Sequence, residues 1–422
     1  MTFFFLYKKT LFVLLCKWVM PMNKPIIMHI DVNNAFLSWT AILLLKEGFK
    51  IDIRNTNAII GYEENKRHSI VLAKSTPIKK YGVKTAEPIF MARKKCPNLK
   101  VYKPNYKWYK EMSNKFFNLI STYTPDIEKM SIDECFLDYT PIKHLYGDEI
   151  KFAYKLKNEI KEKLGFTVNI GIANSKLCAK MASDFQKPDR VHTLFENEID
   201  TKMKPLPIED LFFIGKKTSE KLRKLNINTI KDLSIQDPNK LYPYFKNQTI
   251  RMIKSANGID NSKVENSRQM TKGISNSTTL PHNLIHKEDV YDIIEAISDN
   301  LTSQLRKEKR YAYVIRVYLK NSDFKSYTHQ IKLKNATNSM TTVFEVAKKL
   351  VDEMWKDEPI RLVGLGVDDL THEIIYQPSL FEQVENDDKT LEETIDKIKD
   401  KFGYNVISKA SMAGKKRVTK KY

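Results

Sequence analysis

Cysteine is scarce in this chain of 422 residues. Cys16, Cys96, Cys135 and Cys178 are all there are, and no two form a CxxC pair. That excludes a disulfide scaffold and fits the sparse thiols of a reducing compartment. With only eight histidines beside them, a zinc ribbon or finger has no ligand set. Glycine is also sparse, at 13 residues, and neither a P-loop nor a GxGxxG stretch occurs. A glycine-rich phosphate cradle is therefore unsupported. Long apolar runs are missing too: Leu11 to Cys16 is cut short by Lys17. A membrane span needs about 20 apolar residues, and a signal peptide about 7–15 before a small-residue cleavage site. Residues 1–22, with Lys8, Lys9 and Lys17 and no acid, are expected to lie outside the fold. Met22 or Met28 would then be the working start, and a weak membrane anchor is the alternative.

Acids are outnumbered. Lys and Arg total 71 against 51 Asp and Glu, a formal charge of +20. Such an excess favours a polyanion, nucleic acid or an anionic membrane surface, although Lys-rich surface helices would give the same count. The length points to two to four domains. Ordinary apolar content (42%) and 11% aromatics exclude wholesale disorder.

Patterning gives an α+β multidomain chain. Residues 25–31 read as a buried strand ending at Asp31, and 33–48 as a helix stopped by Gly48. Residues 50–100 are mixed, with short strands such as 69–73. Residues 106–123 read as an amphipathic helix and 127–139 as a hairpin. Ile150, Ala153, Leu156, Ile160 and Leu164 share a helical face over 148–164. Phe166, Val168, Ile170 and Ile172 alternate as a strand. Asn174 can cap a helix carrying Leu177, Met181 and Phe185. Short helices fill 208–258, and a polar linker runs from 260 to 269. A second α+β unit spans 271–370, with helices at 287–309 and 340–356 and strands at 311–319, 328–334 and 360–367. The acidic stretch 382–388 reads as loop, and Leu391, Ile395 and Ile398 as a short helix before a basic tail.

Chemistry concentrates in three acids. Asp31 ends its strand, while Asp133 and Glu134 sit in the apolar frame Met130, Ile132, Cys135, Phe136, Leu137. Carboxylates there are costly to bury unless paired or metal-bound. Adjacent strand residues face opposite ways, so a turn or bulge is required for both to meet Asp31. Three such acids could hold two Mg²⁺ about 3.5–4 Å apart for phosphoryl transfer; a solvated strand edge is the bland alternative.

Two segments carry a resemblance. His29-Ile30-Asp31-Val32-Asn33-Asn34-Ala35-Phe36 and Ser131-Ile132-Asp133-Glu134-Cys135-Phe136-Leu137-Asp138 resemble the catalytic motifs of the Y-family DNA polymerases, the DinB/UmuC translesion enzymes. Within that family the chain looks closest to the polymerase IV-like bacterial proteins. The similarity runs from about residue 24 to about residue 403. It implies a right-hand polymerase with a ferredoxin-like palm (23–40 and 101–190), small fingers (41–100) and a helical thumb with a helix-hairpin-helix (191–259). A linker (260–270), an α+β little finger (271–372) and a C-terminal tail (373–422) would follow. By position it implies Asp31, Asp133, Glu134 and the Val32 carbonyl as ligands of two Mg²⁺. Phe36 would be the steric gate, a ring that leaves no room for a ribose 2′-hydroxyl. Thr76, Lys79 and Lys187 would hold the triphosphate. Many members carry Tyr and Arg where this chain has Thr76 and Lys79; a lysine still serves a phosphate, without the bidentate fork.

The thumb stretch from Phe213 to Leu222 is similar to a helix-hairpin-helix, implying DNA-phosphate contacts at Gly215, Lys216 and Lys217. Phe213 stands where the first glycine is usual. Arg316 and Lys320, then Lys332 and Lys334, share strand faces opposite apolar neighbours, as a DNA-backbone surface would. Gln377-Pro378-Ser379-Leu380-Phe381 resembles a bacterial sliding-clamp peptide, with Gln377, Leu380 and Phe381 as its anchors. The reading is a cytoplasmic, monomeric translesion DNA polymerase acting on primer–template DNA and dNTPs, not on a membrane, with low fidelity and no proofreading. A metal-dependent nuclease and a non-catalytic, clamp-associated DNA-binding subunit are the rivals.

Overall fold

The computed structural model describes residues 24–62, 69–266, 271–373, 387–403 and 406–407. The chain divides into two compact units, one of residues 1–62 with 70–268, the other of 63–69 with 269–422.

In the first unit β1 (Ile27–Val32) is buried except at Asp31, which is half-buried. Helix α1 (Ala35–Lys46) follows directly. A small three-stranded sheet comes next: β2 (Ala58–Ile60), β3 (Ala73–Lys74), helix α2 (Ile89–Lys95) and β4 (Lys100–Tyr102), in the order β3-β2-β4. The strand expected at 69–73 is confined to β3. Upstream of it, Ile70 makes only an isolated bridge to Pro88, and Val71 pairs with the 86–87 backbone.

Helix α3 (Tyr106–Ser121) is capped by the Asn105 side chain, which accepts from the N–H of Trp108. Strands β5 (Ile127–Lys129) and β6 (Glu134–Asp138) form the expected hairpin. Helix α4 (Glu149–Leu164) starts on the Asp148 cap and stops at Gly165, whose φ of +80° suits glycine. Strand β7 (Val168–Ala173), helix α5 (Lys176–Asp184) and β8 (Val191–Leu194) complete a five-stranded sheet, order β5-β6-β1-β7-β8.

Three details differ from the pattern reading. Ile150 is exposed, whereas Phe152 of the same turn is buried in the core. The cap of α5 is Ser175, accepting from Cys178 N–H, whereas Asn174 donates to the Pro25 carbonyl. All six residues of β7 are buried, not every second one. Val168, Ile170 and Ile172 join Trp39, Phe116 and Leu156 on one face of the sheet, while α5 covers the other. Gly171 permits that second layer: a Cβ there would lie 2.0 Å from the Ala179 carbonyl oxygen and 2.4 Å from the Ser183 nitrogen. Short helices α6 (Lys216–Lys224), α7 (Ile230–Ser234), α8 (Pro238–Phe245) and α9 (Gln248–Ala256) pack around Leu222, Ile230 and Leu241.

The polar stretch expected as a linker is pinned to this unit. Asp260 accepts from Leu177 N–H, Glu128 from Glu265 N–H, and Asn266 donates to Pro125.

The second unit is a four-stranded antiparallel sheet, β9 (Gly273–Leu284), β10 (Tyr311–Asn321), β11 (Ser326–Thr337) and β12 (Ile360–Thr371), in the order β11-β10-β12-β9. Helices α10 (Lys287–Lys307) and α11 (Met340–Met354) cover its apolar face. Strand β9 escapes pattern reading because it is polar and contains Pro281; it is an edge strand, where proline costs no ladder bond. Helix α12 (Asp387–Phe402) is longer than the expected short helix. Arg306 of α10 pairs with Glu392 (2.7 Å) and Asp396 (2.6 Å), and Lys399 with Asp299 (2.7 Å), all on half-buried or buried side chains.

Candidate active site

Strand pairing brings the acids together. Asp31 and Glu134 are register partners across β1 and β6. Asp133 precedes β6, in the bend of residues 131–133, and its carbonyl accepts from Val32 N–H at 3.0 Å. That bend is the local turn the alternation rule required, and it carries the second acid to the end of β1. The Ser131 hydroxyl donates to the Asp133 carboxylate. Burial raises the Asp133 carboxyl above its usual range, and the charges of Asp31 and Glu134 add to the effect.

Glu134 behaves oppositely. A bond from His29, with Lys180 beside it, holds its carboxyl down at about 2 despite burial. His29 is buried, and burial lowers its own pKa, so the imidazole is neutral. Its Nε2 faces Glu134 at 3.4 Å, and its Nδ1 pairs with the Ser183 hydroxyl at 2.8 Å. Lys180 Nζ lies 2.7 Å from Glu134 and 3.6 Å from Asp31, and Lys187 Nζ bonds Asp31 directly. Burial works against both ammonium groups. Asp31 and the other nearby acids outweigh it and raise both lysines.

A cleft of 360 Å³ opens beside these acids. Asp31, Val32, Phe36, Thr76, Lys79, Asp133 and Lys187, all singled out from sequence, line it together. Glu134 is not among the lining residues, being turned toward His29 and Lys180. Among the described residues no three of His, Cys, Asp and Glu stand close enough to hold a metal ion, and Lys180 and Lys187 occupy the carboxylates instead. The donor set nonetheless suits Mg²⁺: carboxylates and a main-chain carbonyl are hard oxygen ligands, and the crowded negative charge calls for a cation.

The Phe36 ring forms one wall. It stacks on Tyr109 at 4.5 Å with an 11° interplanar angle, and Tyr106 meets its edge. Tyr109 is fully buried and its hydroxyl pairs with Thr40 at 2.7 Å. The Phe36 ring is therefore backed by a fixed platform.

Several residues here were missed in the sequence. Lys74 and Thr85 line the cleft beside Lys79. Burial lowers Lys74, and the neighbouring charge of Lys79 adds to that. Asn33 and Asn169 form a buried amide chain (3.1 Å) that holds the segment bearing Lys187. Asn169 donates to the Ser183 and Gln186 carbonyls, and Asn33 accepts from Asp189 N–H. Nothing in a linear pattern marks Lys180 or His29 as partners of Glu134; helical spacing alone gives Lys180 a place on α5 one turn from Asp184.

The other candidates lie elsewhere. Gly215 caps α6, and Lys216 and Lys217 follow on its first, exposed turn. The left-handed residue of that hairpin is Phe213 (φ +74°), not a glycine. In the second unit, Arg316 pairs with Asp368 (3.1 Å) and Lys332 with Asp369 (2.8 Å), so the expected basic face is partly neutralised. Lys320 lies 5.9 Å over the Tyr318 ring, and Lys334 is exposed. Gln377, Leu380 and Phe381 lie outside the described residues, as do residues 1–22.

Comparison with known proteins agrees with this geometry. The impB/mucB/samB family matches residues 30–184, its C-terminal domain residues 271–380, and the HHH motif of the IMS family residues 196–227. The chain is 45% identical over 392 residues to a DNA polymerase IV of Clostridium acetobutylicum, covering 92% of this chain and 98% of that one. The chain belongs to the Y-family of DNA polymerases. It is a DNA-directed DNA polymerase of the translesion class. A second Y-family relative, the DNA polymerase IV of Acetivibrio thermocellus, is 31% identical over 90% of this chain and 96% of its own. Among solved structures, a Y-family polymerase chimera of Dbh and Dpo4 superposes with a TM-score of 0.72 at 23% identity, over 83% of this chain and all of that one. The α+β right-hand polymerase fold is thereby that of the Y-family. Among the described residues no helix is long and apolar enough to cross a membrane.

Proposed function

We propose that this polymerase extends a primer 3′-hydroxyl with a dNTP during damage bypass, by two-metal nucleotidyl transfer. The observation that carries the reading is the single cleft lined by Asp31, Asp133, Phe36, Thr76, Lys79 and Lys187. Asp31, Asp133, Glu134 and the Val32 carbonyl would hold two Mg²⁺, which when bound lower the pKa of the primer hydroxyl and neutralise the leaving pyrophosphate. The residues themselves do the rest. Lys187 releases Asp31 and takes a phosphate oxygen, so one ammonium serves acid and substrate in turn. Lys79 and Lys74 supply positive charge along the triphosphate, and Thr76 donates a hydroxyl. Phe36, backed by Tyr109, excludes the ribose 2′-hydroxyl by contact.

The thumb hairpin at Gly215, Lys216 and Lys217 would grip DNA phosphates, with Lys320, Lys334, Arg316 and Lys332 of the second unit adding further contacts. Residues 377–381 would bind the bacterial sliding clamp. The protein would work as a cytoplasmic monomer, with low fidelity and no proofreading.

A nuclease needs neither a sugar gate nor lysines for a triphosphate, and a binding subunit needs no acid triad. Incubation of a labelled primer–template with Mg²⁺, with and without dNTPs, separates the three. Lengthening only with dNTPs supports the proposal; shortening without them would establish the nuclease, and an unchanged primer would leave the binding subunit.

A further inference from the structure

Phe213 is held in the left-handed region of backbone space, at φ +74°. A bulky residue enters that region only under strain. Its side chain is 64% exposed, so burial does not offset the strain. Glycine would adopt the same turn freely. Neither turn geometry nor core packing accounts for an aromatic ring here.

The ring is nevertheless fixed in place. Phe212 lies 3.9 Å away between centroids, and the Arg251 guanidinium stacks over Phe213 at 4.6 Å. Together they wall a cavity of 560 Å³, with Met130, Ile250 and Lys254 also lining it. Ile250 and Met130 are themselves exposed. The one carboxylate in the lining, Asp260, is taken up by the backbone N–H groups of Leu177 and Ser262, each at 3.0 Å. Met130 stands three residues before Asp133, so the cavity abuts the hairpin that carries the catalytic acid. Lys216 and Lys217 follow Phe213 on the first turn of α6. An apolar wall with a cationic rim, next to the reacting end of a strand, matches a sugar face beside a phosphate.

We propose that Phe213 and Arg251 form a primer-strand contact: the ring lies against deoxyribose and the guanidinium takes an adjacent phosphate. The inference rests on the polymerase reading above. The strain at Phe213 is then retained because it projects the ring toward DNA.

Binding of the full-length chain to a fluorescent primer–template, read over a salt series, together with thermal unfolding, tests this. Phe213→Gly is expected to bind about tenfold more weakly while unfolding at or above the wild-type temperature. Phe213→Tyr should bind as wild type does. Arg251→Gln should reduce the slope of log K against log salt by about 0.9, one phosphate contact. Wild-type affinity in Phe213→Gly overturns the inference, and so does a lower unfolding temperature for that variant, which would assign the ring to the fold. An unchanged slope in Arg251→Gln also overturns it. A wild type that binds no duplex at all would instead remove the polymerase reading on which the inference stands.

Discussion

The two units handle charge in opposite ways. In the first, Lys180 and Lys187 pair with acids gathered at the end of one strand. There burial and like charge raise Asp133, while His29 and Lys180 hold Glu134 down. In the second, Arg316–Asp368 and Lys332–Asp369 pair across the strands of an open sheet face. Exposed pairs of that kind contribute little and are screened by salt. Crowded, half-buried like charge is different: the raised carboxyl of Asp133 marks an ionised form that the fold disfavours. The first unit thus keeps an unfavourable negative charge at Asp133, and the second neutralises its charges pair by pair.

The sharpest way to break that contrast is Asp133→Asn. Primer extension should fall by about a thousandfold or more, as for loss of a group that stabilises the transition state. Stability should move the other way. The Asp133 carboxyl is raised in the fold, so the folded state holds its proton more tightly than the unfolded chain. In chelator the wild type should therefore lose stability as pH rises through the ordinary aspartate range, about 4, toward the raised value. Asp133→Asn should lack that loss, and unfolding curves across pH would show it. Added Mg²⁺ should stabilise the wild type and leave the variant nearly unchanged.

Phe36→Ala comes next. Discrimination against ribonucleotides should fall by about a hundredfold while dNTP extension persists, measured as the ratio of kcat/KM for the two nucleotides. Gly171→Ala tests the scaffold rather than the charges. Its Cβ would collide with the Ala179 carbonyl, so unfolding in denaturant should show a loss of about 2–3 kcal/mol, and α5 would shift with Lys180 on it. The smallest effect belongs to the second unit. Asp368→Asn with Asp369→Asn should free Arg316 and Lys332, tightening DNA binding at low salt and steepening its salt dependence by about one unit or less per cation. No change in extension rate is expected there.

Much of this was legible in the sequence for a physical reason. The acids at the end of β1 and the start of β6 sit in short apolar frames, where a carboxylate without a cation or a partner is too costly to keep. Phe36, singled out through the family resemblance, does line the cleft. The partners of those residues were not legible. His29, Lys180 and Asn169 reach the site only because β7 and α5 fold back over β1, a tertiary fact that no local spacing records. Lys74 reads as an ordinary surface lysine until β3 places it on the cleft. Among the elements, β9 was hidden by its polar edge-strand composition and Pro281. The pinned stretch 260–266 was hidden because its bonds go to distant backbone. Ser175 displaced Asn174 as the helix cap by a single residue, within the usual uncertainty of helix ends.

The most direct test of the central claim is extension of a primed template with Mg²⁺, comparing wild type with Asp133→Ala and Phe36→Ala on dNTPs and rNTPs. The account predicts template-dependent extension by the wild type, its loss in Asp133→Ala, and gain of ribonucleotide use in Phe36→Ala. Full extension by a folded Asp133→Ala chain, or a Phe36→Ala chain that still rejects ribonucleotides, would contradict it.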